Sequence, residues 1–429
     1  MKNLFTKVFT MLSLAVLAGT GAVYAQDDNE PVVHYGEENV PEYVLPDALL
    51  CHDGSRVTSI KEWEEKRRPE IMEYFSALEY GRTRQEKINT RYEIISENKK
   101  ALGGKATMQQ VRFVFSNGQC ERQAVALIFI PNYSTGKVPV MLTYNFNGNH
   151  STINDESIVF TPNQSLVWGP DDENWQRGGQ NRRFPYEKII ARGYAVMTMC
   201  YHDIYPDENG AEMLDNSIIS LFPDYKQHAQ WADSWGSIGA WAWGYSRMMD
   251  YLETQQWANT KQVAVMGHSR QGKAALWAGA QDQRFSVVIS NDSGCSGAAL
   301  SKRVTGENIA VITQRFPWWF CSTYQFFANR EDALPFDQHE LIACIAPRPV
   351  YVASAQEDDW ADQHGEFLGA AMAESVYNLY GLKGLGTTTM PGIHEPIMHH
   401  VGYHIRAGVH DVTDYDWERY MDFCDKHYR

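Results

Sequence analysis

The sequence predicts an α/β fold: a mostly parallel sheet with helices on both faces, an amino-terminal extension, and an inserted region over the active face. Three observations predict it. From residue 138 onward, short β-forming runs alternate with helical runs, as parallel strands joined by helical crossovers require. One of those strands, residues 263–266, runs through Gly267-His268-Ser269-Arg270-Gln271-Gly272 directly into a helical run at 273–278. Before residue 138 the rhythm differs. Alternating segments between 91 and 130 are separated by Gly103-Gly104 and by Asn117-Gly118, and the second dipeptide is a strong hairpin signal.

Taken in order, residues 1–25 read as a secretory leader. Lys2 and Lys7 precede a mainly apolar run, and Ala25 stands before a cleavage point at Gln26 with Val23 two places earlier. The run is short for a membrane span. The chain is therefore expected to be exported, periplasmic or secreted. Residues 26–55 are polar and contain proline, which suggests an extended arm. In residues 60–81, Ile60, Trp63, Ile71, Tyr74, Phe75 and Leu78 recur at broadly helical spacing, and Pro69 is expected to break that helix in two. This segment precedes every strand, so it should pack on the outside of the later core. Residues 138–144 form a strand and 145–150 a loop; residues 151–192, rich in Asn and Gly, form the insertion. A strand at 195–199, a helix at 239–253 and further strands at 285–290 and 349–353 complete the pattern. There is no repeat or linker. The simplest division is one catalytic domain over 26–429, whose extension covers about 26–105.

Composition narrows the function. The chain has 429 residues, 44% hydrophobic, with 13 tryptophans and 23 tyrosines. That many large aromatics serve either a carbohydrate groove or a large core. The net charge of −15 becomes −17 without residues 1–25, so no nucleic-acid or anionic-membrane partner is expected. Seven cysteines leave at least one thiol unpaired, and no C-x-x-C or H-E-x-x-H spacing occurs, so no metal and no cofactor are expected. Oligomeric state is not legible; a monomer is compatible with all of this.

A serine at the apex of a strand-to-helix turn is the nucleophile elbow of the α/β-hydrolase fold, although glycine-rich turns also bind phosphate or simply pack tightly. The second small residue, Gly272, comes one place later than in G-x-S-x-G. A serine hydroxyl needs a base to take its proton and an acid to orient that base, and in this fold the chain order is Ser, acid, His. Two acids follow strands at the required end: Asp292 after the strand next to the nucleophile, and Asp358 after the one beyond it. Either can orient a histidine; Asp358 holds the usual place. Seven histidines follow: His364, His394, His399, His400, His404, His410 and His427. His410 lies in a loop just before a final helix starting near Tyr415, which makes it the favoured base, with the others read as solvated loop residues.

The stretch Gly267-His268-Ser269-Arg270-Gln271-Gly272-Lys273 resembles the G-x-S-R-x-G-K signature of the glucuronoyl esterases, carbohydrate esterase family fifteen, and the resemblance accounts for the late glycine. NFNGNH at Asn145, SNDSGCSGAAL at Ser290, FPWWF at Phe316, APRPVYVASAQEDDWAD at Ala346 and GYHIRAGVHDVTDYDW at Gly402 are similar to the family in the same order. EWEEKRRPEI at Glu62 resembles its bacterial branch. The resemblance implies a serine esterase, without metal or cofactor, that cleaves esters between (4-O-methyl-)glucuronoyl groups of glucuronoxylan and lignin alcohols. It implies Ser269 as nucleophile, His410 as base and Arg270 at the oxyanion. Lys273 and Trp360 would contact the sugar, with Glu307 and Gln314 as further contacts. Members related to the fungal enzymes carry Glu where this chain has Asp292, and some bacterial members use the position of Asp358, so Asp358 is taken as the main orienter with Asp292 assisting or replacing it. Two other readings remain: an acetyl xylan esterase or other carboxylesterase of the same fold, and a carbohydrate-binding relative with impaired catalysis. The cations Arg270 and Lys273 favour the uronate reading, because an acetyl group needs no cationic recognition.

Overall fold

The computed structural model describes residues 31–163 and 172–428, so the leader assigned to 1–25 lies outside the described residues. Among the described residues, ten strands form one sheet: β1 (Asn89–Ala101), β2 (Ala106–Ser116), β3 (Glu121–Pro131), β4 (Val138–Asn145), β5 (Ala195–Cys200), β6 (Ala258–His268), β7 (Val287–Asn291), β8 (Val350–Ala355), β9 (Ile397–Met398) and β10 (Val401–Arg406). Their order is β1-β2-β3-β5-β4-β6-β7-β8-β10-β9. The run from β5 to β10 is parallel, while β1, β2, β3 and β9 pair antiparallel. The expected hairpin joins β2 to β3, with Ser116 paired to Glu121 and Gly118 at φ 88°, a conformation glycine adopts without steric cost.

The central strands are buried on both faces, as the apolar run of a parallel sheet implies. Along β6, Val263 and Val265 join one core cluster while Ala264 and Met266 join the other, the period of two expected of a strand. The first cluster includes Trp241 of the helix Ser237–Glu253, Trp277 of the helix Arg270–Gln281 and Phe367 of the helix Gln363–Met372. The second includes Ile189 of the helix Tyr186–Ala191, and Trp417 and Tyr420 of the final helix Asp414–Tyr428. Helices therefore cover both faces.

Pro69 does not break the early helix. Ser59 and Glu62 form a reciprocal capping box, and the chain then widens into a π-turn over Trp63–Arg67, where the Arg68 N–H bonds the Trp63 carbonyl five residues back. The helix Arg68–Leu78 continues with Pro69 in its first turn. The wider turn accommodates the proline ring, which clashes with a carbonyl four residues earlier in a regular helix. Trp63, Ile71 and Phe75 are fully buried, and Arg67 Nη2 donates to the buried Glu340 Oε1 at 2.6 Å. The arm before this helix is also fixed: the Gly306 N–H donates to the His34 carbonyl, and Glu37 pairs with Arg303 and His364. All seven cysteines are free thiols.

Candidate active site

Strand register sets the site. His268, Asn291, Ala353 and His404 occupy one row across β6, β7, β8 and β10. The segments that follow these strands leave the sheet at the same edge, where ligands bind in open parallel sheets. Ser269, one residue past β6, has φ 57° and ψ −130°, a strained conformation for a residue with a side chain, and its N–H donates to the Asn291 carbonyl at 2.8 Å. Both glycines of the elbow are required by close approach. A Cβ at Gly267 would lie 1.8 Å from the Gln271 carbonyl oxygen, and one at Gly272 would lie 2.8 Å from Ser293 Cβ. The late glycine thus falls where the helix crosses the end of β7.

Ser269, Arg270, Lys273, Asp292, Glu307, Trp360, Asp358 and His410 line one cleft of about 360 Å³ with Phe316 and Trp319. His410 Nδ1 lies 2.6 Å from Asp358 Oδ2. With the carboxylate ionised, Nδ1 is the donor and Nε2 keeps its lone pair for a proton. Asp358 is buried and the His410 ring is partly exposed. Asp292 is buried beside them, its donor atoms within 4.8 Å of those of Asp358 and His410, but it makes no hydrogen bond to His410. Its Oδ2 instead accepts from Arg406 Nη2 and the Asp411 N–H, each at 3.3 Å. Burial, then the charge of Glu366, pushes the Asp292 carboxyl well up, against the pull of Arg406. Glu366 is held under the cleft by the N–H groups of Ser293 and Gly294 and by the Ser354 hydroxyl, and burial pushes it up to about 7.

Arg270 donates from Nη1 to Asp207 Oδ2 at 2.5 Å, and its guanidinium stands over the rings of Trp319 and Phe316. Lys273 Nζ donates to the carbonyls of Ser293 and Cys295 and pairs with Glu307 Oε2 at 3.5 Å. Its three protons therefore already have partners. The Glu307 N–H donates to the Trp360 carbonyl, which ties those two residues together. Gln314 is exposed on the last turn of the helix Ile309–Arg315 and does not line the cleft; the next residue, Arg315, does, with its guanidinium 5.0 Å from the Trp360 ring centre. One helical step of about 100° separates the two directions.

The other histidines are engaged elsewhere, and not all are solvated. His404 is fully buried in β10 between the Tyr351 hydroxyl and Asp416, because its strand lies inside the sheet. His394 Nε2 accepts from the Ala407 N–H, His364 pairs with Glu37, and His427 meets the His399 carbonyl. Sequence reasoning missed Asp207, Arg406 and Glu366. Arg406 closes β10 and donates to Asp416, Asp292 and the carbonyls of Ala407, Val409 and Asp411, which holds the His410 loop from below. Its only signal in the sequence is a charge at the end of a strand with apolar neighbours.

Comparison with known proteins places the chain in a family. Residues 186–381 match the family model described as "Glucuronyl esterase, fungi". The chain is 42% identical over 414 residues to "Carbohydrate esterase MZ0003" from an unknown prokaryotic organism, covering 94% of each chain. It is 30% identical over 287 residues to "4-O-methyl-glucuronoyl methylesterase" of Hypocrea jecorina, covering 61% of this chain and 58% of that one. A glucuronoyl esterase from Solibacter usitatus superimposes with a TM-score of 0.85 at 43% identity, covering 91% of this chain and all of that one. A promiscuous CE15 esterase from a marine bacterial metagenome does so with a TM-score of 0.84 at 40% identity, covering 92% and 100%. With matches of this extent on an α/β-hydrolase sheet, the chain belongs to the glucuronoyl esterases of carbohydrate esterase family 15, a family of carboxylic ester hydrolases.

Proposed function

We propose that the chain hydrolyses the ester between a (4-O-methyl-)glucuronoyl group of glucuronoxylan and a lignin alcohol through an acyl-enzyme. The observation that carries the reading is the convergence, in one cleft, of the strained Ser269, the His410–Asp358 pair at 2.6 Å and the cation of Arg270. The names of the relatives, glucuronoyl and 4-O-methyl-glucuronoyl esterases, support the substrate class.

In this mechanism Ser269 Oγ attacks the uronoyl carbonyl carbon while His410 Nε2 takes the hydroxyl proton. The carbonyl oxygen becomes an oxyanion, stabilised by Arg270 and by the backbone N–H that follows the nucleophile. Collapse breaks the bond to the alcohol oxygen, which leaves with the proton from His410. Water then repeats the sequence on the acyl-enzyme, giving the free uronate and regenerating Ser269. Asp358 orients His410 and stabilises its charged form. Asp292, held by Arg406 and the Asp411 N–H, lies buried behind the pair. Glu307 and Trp360 hold the sugar, with Lys273 fixing Glu307.

A second reading, a less selective carboxylesterase, is favoured by the relative described as promiscuous. One assay separates the two: hydrolysis of benzyl glucuronate and of p-nitrophenyl acetate, each compared with the Ser269→Ala variant. The uronate ester is expected to be cleaved with the higher kcat/KM, and no uronate cleavage above the variant rejects the first reading. The leader sequence further supports export, which mature protein starting at Gln26 would bear out; no helix among the described residues is long and apolar enough to cross a membrane.

A further inference from the structure

Asp207 lies on the chain beyond β5, far in sequence from the elbow, and is almost fully buried. Its carboxylate accepts from four side chains. Oδ2 takes Arg270 Nη1 at 2.5 Å and the Tyr201 hydroxyl at 2.8 Å; Oδ1 takes Trp318 Nε1 at 2.9 Å and Trp319 Nε1 at 2.7 Å. Its own N–H donates to His202 Nδ1 at 3.0 Å, which places the proton of that neutral ring on Nε2. Four donors from three separate segments leave this carboxylate no freedom to turn. Burial opposes its ionisation, but the charge of Arg270, with further help from the Trp319 N–H, holds it below the usual carboxylate range. It is an anion built into the wall behind the cleft.

Arg270 is clamped by the same group. One edge of its guanidinium is bonded to Asp207, and one face rests on the rings of Trp319, 4.7 Å away, and Phe316, 5.4 Å away. Its Nε is buried and closed to the cleft, so the donors left for a ligand are on the Nη groups. Of these only Nη1 is bonded among the described residues, and the side chain is 28% exposed. Arg270 also directly follows Ser269 and lines the cleft. A long, mobile cation is thus fixed on one side by a charge-assisted hydrogen bond and two aromatic rings, with donor capacity left over beside the nucleophile.

We propose that Asp207 is the positioning residue of the oxyanion site. Together with Trp318 and Trp319 it sets the direction of the Arg270 guanidinium before substrate arrives, so that an unpaired Nη N–H faces the carbonyl oxygen as its charge grows. This rests on the assignment of Arg270 to the oxyanion. Pre-organisation is what makes such a donor effective, because a cation that must first be ordered loses part of its stabilisation to reorganisation. The interaction matters more in the transition state than in the ground state, so its loss lowers kcat more than it raises KM.

The test is a double-mutant cycle on benzyl glucuronate. Arg270→Ala is expected to lower kcat by about 10²–10³-fold, the range for loss of an oxyanion donor. Asp207→Asn is expected to lower kcat by about 10-fold or more with KM changed less than about 3-fold, since the amide removes the charge facing Arg270 and has one acceptor oxygen for four donors. In the Arg270→Ala background, Asp207→Asn should lower kcat no further. Trp318→Phe removes one of the four donors without changing the charge, and should give a smaller kcat loss that also vanishes in the Arg270→Ala background; this arm carries the test if Asp207→Asn does not fold. Losses that multiply across the two positions show a merely structural role and overturn the proposal. A full kcat in Arg270→Ala overturns the oxyanion assignment and the proposal with it. A large loss in Arg270→Ala beside full kcat in Asp207→Asn overturns the proposal alone.

Discussion

At the scale of single residues, two buried aspartates sit beside one histidine and differ in what holds them. Asp358 has its oxygen on His410 Nδ1, whereas Asp292 spends its Oδ2 on Arg406 and the Asp411 N–H. Burial and the charge of Glu366 also raise the Asp292 carboxyl, against the pull of Arg406. An amide keeps one oxygen to accept from Arg406 and the Asp411 N–H. Asp358→Asn is expected to lower kcat on a uronate ester by about 10²–10⁴-fold, as loss of the base's orientation does. Asp292→Asn is expected to lower it far less, because Asp292 bonds Arg406 and the Asp411 N–H rather than His410. Equal losses in the two variants would remove the distinction drawn between them.

At the scale of elements, the elbow is a packing problem solved by glycine. The helix Arg270–Gln281 passes so close to β7 that Gly272 faces Ser293 Cβ and Ser290 Oγ, while Gly267 faces backbone. Ser293 is itself fixed by Glu366 and its carbonyl holds Lys273, so neither side of this contact gives way easily. Gly272→Ala should cost about 1–3 kcal/mol in urea denaturation, the usual range for overpacking, and lower kcat through displacement of the elbow. A variant as stable and active as the parent would show that Ser293 moves freely. The same element logic explains Arg406. Placed at the end of β10, one guanidinium binds a helix carboxylate, Asp292 and three loop carbonyls, and so converts strand register into the position of His410.

Across the whole molecule, buried ionisable groups set the pH dependence of stability. Burial pushes Glu79 and Asp203 up to about 8 and Glu340 and Glu366 up to about 7. In the unfolded chain these carboxyls ionise near pH 4. Between that value and about pH 8 the native state binds more protons than the unfolded state, so stability falls as pH rises. Burial pushes His202 down to about 3 and His339 and His427 to about 4. The unfolded state binds those protons first, so this group removes stability as pH falls below about 6.5. Between about pH 4 and 6.5 the four acids and three histidines oppose each other, so the Tm is expected to vary little there and to fall from about pH 6.5 to 8.5, with that fall reduced in Glu366→Gln. Thermal unfolding across that range checks it; a Tm still rising at pH 8.5 would contradict the assignment of these acids.

Local order along the chain determined the strand and helix rhythm, the Asn117-Gly118 hairpin, the elbow at Ser269 and the late loop that carries His410. Each of these is set by a period of two or 3.6, or by the conformational freedom of a glycine, and such signals are local. Pro69 was a local signal that tertiary packing overrode, since a π-turn keeps Trp63, Ile71 and Phe75 against the core. The choice between Asp358 and Asp292 was open in the sequence because both leave parallel strands at the same edge. In the folded chain Asp358 meets His410 Nδ1, while Asp292 accepts from Arg406 and the Asp411 N–H. Gln314 and Arg315 differ by one helical step, yet only one faces the cleft. Asp207 had no sequence signal at all, because it meets Arg270 across 63 positions of chain and acquires its role only when Tyr201, Trp318 and Trp319 converge on it. Periodicity fixes which side of an element is buried; the partner a buried charge finds there depends on distances between elements, and those exist only in the folded chain.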